Sequence, residues 1–273
     1  MSMNPSAFDF TGRHLFVAGG SSGINLGVAQ AFARAGANVS LISRSADKVA
    51  TAAAGLEALG TQALGISADV RQPEALERAL SEAHARFGPI DVLLSGAAGN
   101  FLASALDMSP NAFKTVVEID LLGSFNVARL AHAHLRRPGA SIIQISAGQA
   151  FTPTPFQAHV CVAKAGVDML TRVLALEWGA EGIRINSIVP GPIADTEGLR
   201  RLAPTPQTLD AMAQRVPLKR LGRIEDIARM AMVLSSDWGS YITGAVIPVD
   251  GGLALTGPRD FTAAAEATQR ARA

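Results

Sequence analysis

Near the N-terminus, the run Gly19-Gly20-Ser21-Ser22-Gly23-Ile24-Asn25-Leu26-Gly27 restricts the possible folds more than any other stretch of the chain. It follows His14-Leu15-Phe16-Val17-Ala18, which reads as a short buried strand. It precedes a segment whose apolar residues Val28, Ala29, Phe32 and Ala33 recur at helical spacing, closed by Ala35-Gly36-Ala37 before a second strand from Asn38 to Ser43. Strand, glycine loop, helix and strand is the context in which glycines let a backbone turn tightly and approach a pyrophosphate, whose charge meets the N–H groups at the helix start. Gly19, Ser21, Ser22, Gly23 and Ile24 are the expected cradle.

The second strand ends in Ser43-Arg44, where the adenosine ribose of a dinucleotide is expected. A carboxylate there would bond the 2′-hydroxyl of NAD, whereas the Arg44 guanidinium suits the 2′-phosphate of NADP; a solvated surface arginine is the alternative. A third strand from Thr61 to Ser67 leads to Asp69-Val70, with Asp69 placed for the adenine amino group and Arg71 either assisting or exposed. A helix from Pro73 to Phe87, with proline in its first turn, precedes a buried strand from Ile90 to Ser95. The small residues of Gly96-Ala97-Ala98-Gly99-Asn100-Phe101 then leave room for a cofactor at the switch point of an open parallel sheet. Asn100 sits at the mouth of that cleft, or serves only as a turn former after Gly99.

Two long helices are expected, near Asp120 to Arg137 and His159 to Gly179, on either side of the apolar strand from Ser141 to Ser146. Asp120 would then lie at or near the start of one helix and Lys164 in the first turns of the next, within reach across the cleft. An acid at a helix start also satisfies free N–H groups and the macrodipole, which is the structural alternative for Asp120. His132 and His134 are two apart and do not share a helix face, so no metal pair is expected; His159 is the histidine placed near Lys164. Beyond lie a strand from Ile183 to Val189, the turn Pro190-Gly191-Pro192-Ile193, a polar segment around Thr196 to Arg201, a helix from about Glu225 to Ser235 and a strand from Ala245 to Val249. Together these make a parallel sheet of about seven strands.

Composition excludes several classes. A net charge of +1 leaves no broad basic surface for nucleic acid or an anionic membrane. The apolar residues, 48% of the chain, are spread along it without a charged or Pro/Ser-rich linker, which favours one domain over 1–273, the tail from Pro258 reading as a terminal helix or as disordered. Cys161 is the only cysteine, so one chain builds neither an internal disulfide nor a thiolate metal cluster. The opening Met1-Ser2-Met3-Asn4-Pro5 has no signal pattern and no apolar stretch is long enough to span a bilayer, so a cytoplasmic location is expected.

The run from Gly19 to Gly27, Asp69, Asp91, Lys164, Pro190-Gly191 and Asp250-Gly251-Gly252 together resemble the short-chain dehydrogenases/reductases over nearly the whole chain. Within that family, Ala97-Ala98-Gly99-Asn100-Phe101, Asn111-Ala112-Phe113-Lys114, Glu177-Trp178-Gly179 and Pro190-Gly191-Pro192-Ile193 followed by Thr196-Glu197-Gly198-Leu199-Arg200-Arg201 are similar to the 2,4-dienoyl-CoA reductases of the peroxisomal type. The resemblance implies an α/β fold, a Rossmann-type three-layer α/β/α sandwich, an NADPH cofactor, an acyl-CoA or related thioester substrate, and a homotetramer built on the helices flanking the fifth strand.

The usual Asn-Ser-Tyr-Lys tetrad of the family falls on Asp120, Ala147, Val160 and Lys164, so the donor that protonates a carbonyl oxygen is missing and ordinary alcohol dehydrogenase chemistry is not expected. In the dienoyl reductases hydride goes to the far carbon of the conjugated thioester and the proton goes to carbon. The resemblance therefore implies that Asn100 donates to the thioester oxygen, Lys164 holds the nicotinamide ribose and Asp120 supplies a proton through water. It adds Val70, Ala97, Ala98, Gly99, Pro190, Gly191 and Ile193 to the cofactor set, and Phe101, Gln149, Arg200 and Arg201 to the substrate set. Two departures stand out. Asn25 occupies the position of the third glycine, where a side chain can crowd the helix against the strand or the pyrophosphate unless Gly27, two residues later, relieves it, and Gln149 lies where the mitochondrial reductases carry a tyrosine. The alternatives are a reductase for another acyl or enone substrate, and an NADP-binding protein without catalysis.

Overall fold

The computed structural model describes residues 8–203 and 205–256, so the tail from Pro258 lies outside the described residues. Seven parallel strands form one sheet in the order β3-β2-β1-β4-β5-β6-β7. They are β1 (His14–Ala18), β2 (Asn38–Ser43), β3 (Ala63–Ser67), β4 (Val92–Ser95), β5 (Ser141–Ile145), β6 (Arg184–Pro190) and β7 (Val246–Val249). β1, β4 and β5 are buried at every position, as strands covered by helices on both faces must be.

Alternation along β1 divides the core. Leu15 and Val17 pack with Val28 and Phe32 of α1 (Gly23–Arg34), Val49 and Leu56 of α2 (Ala46–Glu57), and Ile227 and Leu234 near the C-terminus. Phe16 and Ala18 face the other way, toward Leu76 and Leu80 of α3 (Pro73–Phe87) and Val127 and Leu174 on the helices that flank β5. The result is the expected three-layer α/β/α sandwich. Strand order reverses between β1 and β4, and the crevice beyond their C-terminal ends is where such sheets bind ligands.

Strand and helix limits follow the sequence pattern within one or two residues in most places, but three helical features differ. α2, capped by the Ser45 hydroxyl, and α8 (Pro206–Arg215), capped by Thr205, form in stretches not assigned from the sequence, although Val49, Ala52, Ala53 and Leu56 of α2 recur at helical spacing. The polar segment after Thr196 is itself helical, as α7 (Glu197–Leu202). Most important, the helix before β5 does not start near Asp120. It starts at Pro110 behind the N-cap Ser109, whose hydroxyl accepts from the Ala112 N–H, and runs through α4 (Pro110–Val117), a π-helical turn (Glu118–Leu122) and α5 (Gly123–Ala131). α6 (Ala158–Trp178) and α9 (Ile224–Ser235) match their expected spans closely. The outer faces of α5 and α6 leave Phe125, Val162, Met169, Val173 and Leu176 exposed, the faces on which the tetramer expectation rests.

His14 ties the two halves of the sheet to the end of α3. Its Nδ1 donates to the Gly88 carbonyl at 3.0 Å and its Nε2 accepts from the Ser40 hydroxyl at 2.9 Å, while its backbone N–H donates to Asp91. Burial drives its pKa down to about 4 from the ordinary 6.5. The folded state therefore binds fewer protons than the unfolded chain between those values, and stability falls as pH drops from about 6.5 toward 4, by roughly 3 kcal/mol in total. Urea midpoints at pH 7 and pH 4.5 should differ for the wild type, and the difference should shrink in His14→Gln; an equal acid sensitivity in the variant would refute the assignment.

Candidate active site

Three loops and one helix meet at the crevice. The first loop leaves β1 at Gly19, where φ is +80° and an added Cβ would lie 2.8 Å from the Ala97 backbone. Only glycine lets the loops after β1 and β4 touch backbone to backbone. Gly23, at φ +58°, opens α1 with free space where a Cβ would stand, and the Ser22 side chain makes no capping bond. The N-terminal amides of α1 thus face the crevice side of the sheet, with Ser21 and Ile24 beside them.

Asn25 does not crowd this cradle. Its Nδ2 donates to the Gly19 carbonyl at 3.0 Å and to the Gly96 carbonyl at 2.8 Å, so one buried amide pins both loops. Room for it comes from Gly96, where a Cβ would lie 2.7 Å from Asn25 Cγ. Gly27, the other glycine beyond the usual pattern, instead makes space for Ile224 of α9.

Around the adenosine end, Ser43 closes β2, Arg44 is exposed, and the Asp69 carboxylate is clamped by Arg71 at 2.6 Å. The Arg71 hydrogen bonds hold Asp69 below the usual carboxylate range. Arg71 is therefore spent on Asp69. Val70 is buried against Gly123 of α5, while Ala97, Ala98 and Gly99 line the exit of β4. On the far side, Pro190 ends β6 and Gly191 packs on Asp250 with no space for a Cβ; the Ile193 side chain is buried in the core against Gly222, and its carbonyl accepts from the Thr196 hydroxyl.

Asn100, Asp120 and Lys164 converge. Asp120 is 1% exposed, and its Oδ1 accepts from the Gly99 N–H at 2.7 Å while its Oδ2 lies 3.5 Å from Lys164 Nζ. It caps no helix. The Gly123 N–H reaches back to the Glu118 carbonyl, and this widened turn puts Glu118 outward and Asp120 inward. The equally buried Lys164 also donates to the Ile145 carbonyl at 2.9 Å. Burial raises the Asp120 pKa, and the Lys164 charge and the Gly99 N–H only partly oppose it.

Asn100 is held by its carbonyl oxygen, which accepts from Gln157 Nε2 at 2.9 Å; Gln157 Oε1 accepts in turn from Gln149 Nε2 at 2.7 Å. Phe101 packs on the ring of His159 with centroids 4.2 Å apart. His159 is fully buried, neither ring nitrogen has a hydrogen-bond partner, and burial lowers its pKa against the opposing Asp120 charge. Val160 is buried and Ala147 carries no hydroxyl, so two of the three tetrad positions that differ offer no acid, and Asp120 is the third. Arg200 is exposed on α7 beside Glu197 at 3.6 Å, not in this cluster, and the Arg201 side chain lies outside the described residues. His132 and His134 pair separately, with Glu181 and Glu77.

Residues 18–254 match the family model described as enoyl-(acyl carrier protein) reductase. The chain belongs to the short-chain dehydrogenase/reductase family. Its solved relatives in that family include a short-chain type dehydrogenase/reductase from Mycobacterium marinum, with TM-score 0.84 and 31% identity over 93% of this chain and 99% of that one. A short chain dehydrogenase from Bacillus anthracis gives TM-score 0.80 and 34% identity over 91% and 99%. Among curated relatives, the peroxisomal 2,4-dienoyl-CoA reductase of Pongo abelii, named as (3E)-enoyl-CoA-producing, is 45% identical over 92% of this chain and 87% of its own length. The enzyme of the same name from Arabidopsis thaliana is 41% identical over 91% and 86%.

This short-chain dehydrogenase/reductase is an oxidoreductase. Sequence reading missed Gln157 altogether, because a glutamine before a helix carries no signal of its own. It also took Asn25 for an obstruction, since the space opposite it belongs to a glycine 71 positions away.

Proposed function

We propose that this protein reduces 2,4-dienoyl-CoA thioesters with NADPH, yielding a 3-enoyl product. The observation that carries the reading is the buried Asp120 carboxyl set between the Lys164 ammonium and the Gly99 N–H, next to Asn100, with no hydroxyl at Ala147 or Val160. The names of the curated relatives support the same substrate class.

The residues present fit a nicotinamide dinucleotide. A Cβ would fill the cradle at Gly19 and Gly191, the α1 amides are free of a side-chain cap, and two buried polar groups, Asp120 Oδ2 and the His159 ring, have unused hydrogen-bonding capacity beside the cleft. When bound, NADPH supplies hydride. The pyrophosphate would rest on Gly19, Ser21, Ser22, Gly23 and Ile24, the 2′-phosphate on Ser43 and the exposed Arg44, the adenine near Asp69 and Val70, and the nicotinamide ribose on Lys164.

Asn100 keeps its amide N–H groups for the thioester oxygen, because its own oxygen is already taken by Gln157. A placed donor of this kind stabilises the negative charge that develops on that oxygen when the far carbon of the diene is reduced. Asp120, kept protonated to higher pH than an ordinary carboxylic acid, delivers the proton through a water to the carbon next to the thioester, and the remaining double bond moves between the two reduced carbons. Lys164 holds the Asp120 carboxyl in place from the other side. Phe101 and Gln149 would border the acyl chain.

Stopped-flow absorbance with 2,4-dienoyl-CoA should show rapid NADPH oxidation and a much weaker rate with NADH. Absence of turnover by the wild type overturns the substrate reading, and equal rates with the two cofactors overturn the role given to Arg44.

A further inference from the structure

We propose that Gln157 is a positioning residue that sets which end of the Asn100 amide faces the substrate. The inference rests on the role assigned to Asn100 above and adds the device that makes that role possible. A side-chain amide has a carbonyl that only accepts and an NH2 that only donates, in nearly the same shape. Left to rotate, Asn100 would present the wrong end to a thioester oxygen as readily as the right one.

Gln157 removes that freedom. It is 1% exposed, sits at the boundary of α6, and is anchored through its backbone N–H to the Thr154 carbonyl at 3.2 Å. Its NH2 donates to Asn100 and its carbonyl accepts from Gln149, so the three amides form a chain with one direction. Gln149 donates to Gln157, Gln157 donates to Asn100, and the Asn100 NH2 is the end left for the cleft. Reversing the chain would turn the Asn100 oxygen to the cleft, where it would repel the thioester oxygen it has to stabilise. Gln149, in the short turn after β5, thus also acts on Asn100 through Gln157.

Gln157→Glu tests the direction. The ionised carboxylate of that variant can only accept, so it draws the Asn100 NH2 toward itself. The expected result near neutral pH is a kcat lower by about a hundredfold, the usual loss when one such donor is removed, with the NADPH dissociation constant unchanged. Protonating the introduced carboxylate restores one donor and keeps one acceptor, which is the pattern of the native glutamine. The ratio of variant to wild-type kcat should thus rise as pH falls. Asp120, Lys164 and His159 also face this corner, and taking the ratio removes their shared titration. Gln157→Leu should lose activity without recovery at low pH. A Gln157→Glu enzyme as fast as wild type at neutral pH, or one equally slow at every pH, would overturn the proposal. Side-chain amide proton exchange in the ligand-free protein gives a reading independent of turnover. Slow exchange at Gln157 with fast exchange at Asn100 is expected, and the reverse order refutes the direction even if the substrate proves to be another enone. Wild-type turnover in Asn100→Ala would instead break the reading of Asn100 itself.

Discussion

Asp120→Asn is expected to lose kcat by roughly two to four orders of magnitude, the span that a positioned proton donor typically contributes. The substitution keeps an oxygen for the Gly99 N–H, which donates to Oδ1 at 2.7 Å, and so preserves the contact between the π-helical turn and the loop after β4. What it removes is the transferable proton. The pH dependence carries a sign. Burial raises the Asp120 pKa above 3.8, so the protonated form survives further toward neutrality than an ordinary carboxylic acid and kcat falls as pH rises through the raised value. That limb should vanish in the asparagine variant. The same shift means that the stability tied to this group is greatest below 3.8 and is lost as pH rises through the folded-state value, since the fold favours the neutral acid. Lys164 keeps its bond to the Ile145 carbonyl, and the asparagine amide resembles the neutral acid that the fold favours, so the variant should fold with little change in stability. Rates in single turnover with NADPH already bound separate chemistry from binding; a variant as fast as wild type there eliminates Asp120 as the acid.

The second large effect concerns the cradle rather than the chemistry. Gly96→Ala should cost about 2–4 kcal/mol, combining the strain of overpacking with loss of the two bonds that Asn25 makes to the Gly19 and Gly96 carbonyls. Both loops at the crevice then shift, and binding of a nicotinamide cofactor should weaken with the melting temperature. The decisive comparison is Asn25→Gly with Gly96→Ala. Removing the asparagine clears the space into which the new methyl points, so the double variant should be more stable than Gly96→Ala alone. Calorimetry and fluorescence titration with NADPH measure both effects. A double variant worse than either single one would show that Asn25 and Gly96 are not a complementary pair.

Several parts of this molecule were legible residue by residue. The buried runs of β1, β4 and β5 identify themselves because strands covered on both faces have no polar side to hide. The glycines of the first loop announce a tight turn into a helix, and Lys164 stands where α6 begins to face the crevice. α2 was overlooked although Val49, Ala52, Ala53 and Leu56 recur at helical spacing behind the cap Ser45, whereas α8 buries no residue and so shows no core-facing stripe. Asp120 was visible as a candidate but misplaced. Nothing in Glu118-Ile119-Asp120-Leu121-Leu122 marks a π-helical turn, and the Gly123 N–H reaches the Glu118 carbonyl in a backbone register that depends on how closely Gly123 packs on Val70.

By itself, then, the sequence determined the layered parallel sheet, the glycine loop at its switch point, and the loss of the tetrad hydroxyls at Ala147 and Val160, since each of these depends on residue type and local spacing. Only the tertiary structure decided that Asp120 turns inward to Lys164, that Asn25 braces two loops against Gly96, and that Gln149 and Gln157 bond in a chain to Asn100. The physical reason is common to all three: they are hydrogen bonds, close approaches and ion pairs between residues 6 to 71 positions apart, whose geometry exists only once the strands have brought their loops to one edge of the sheet.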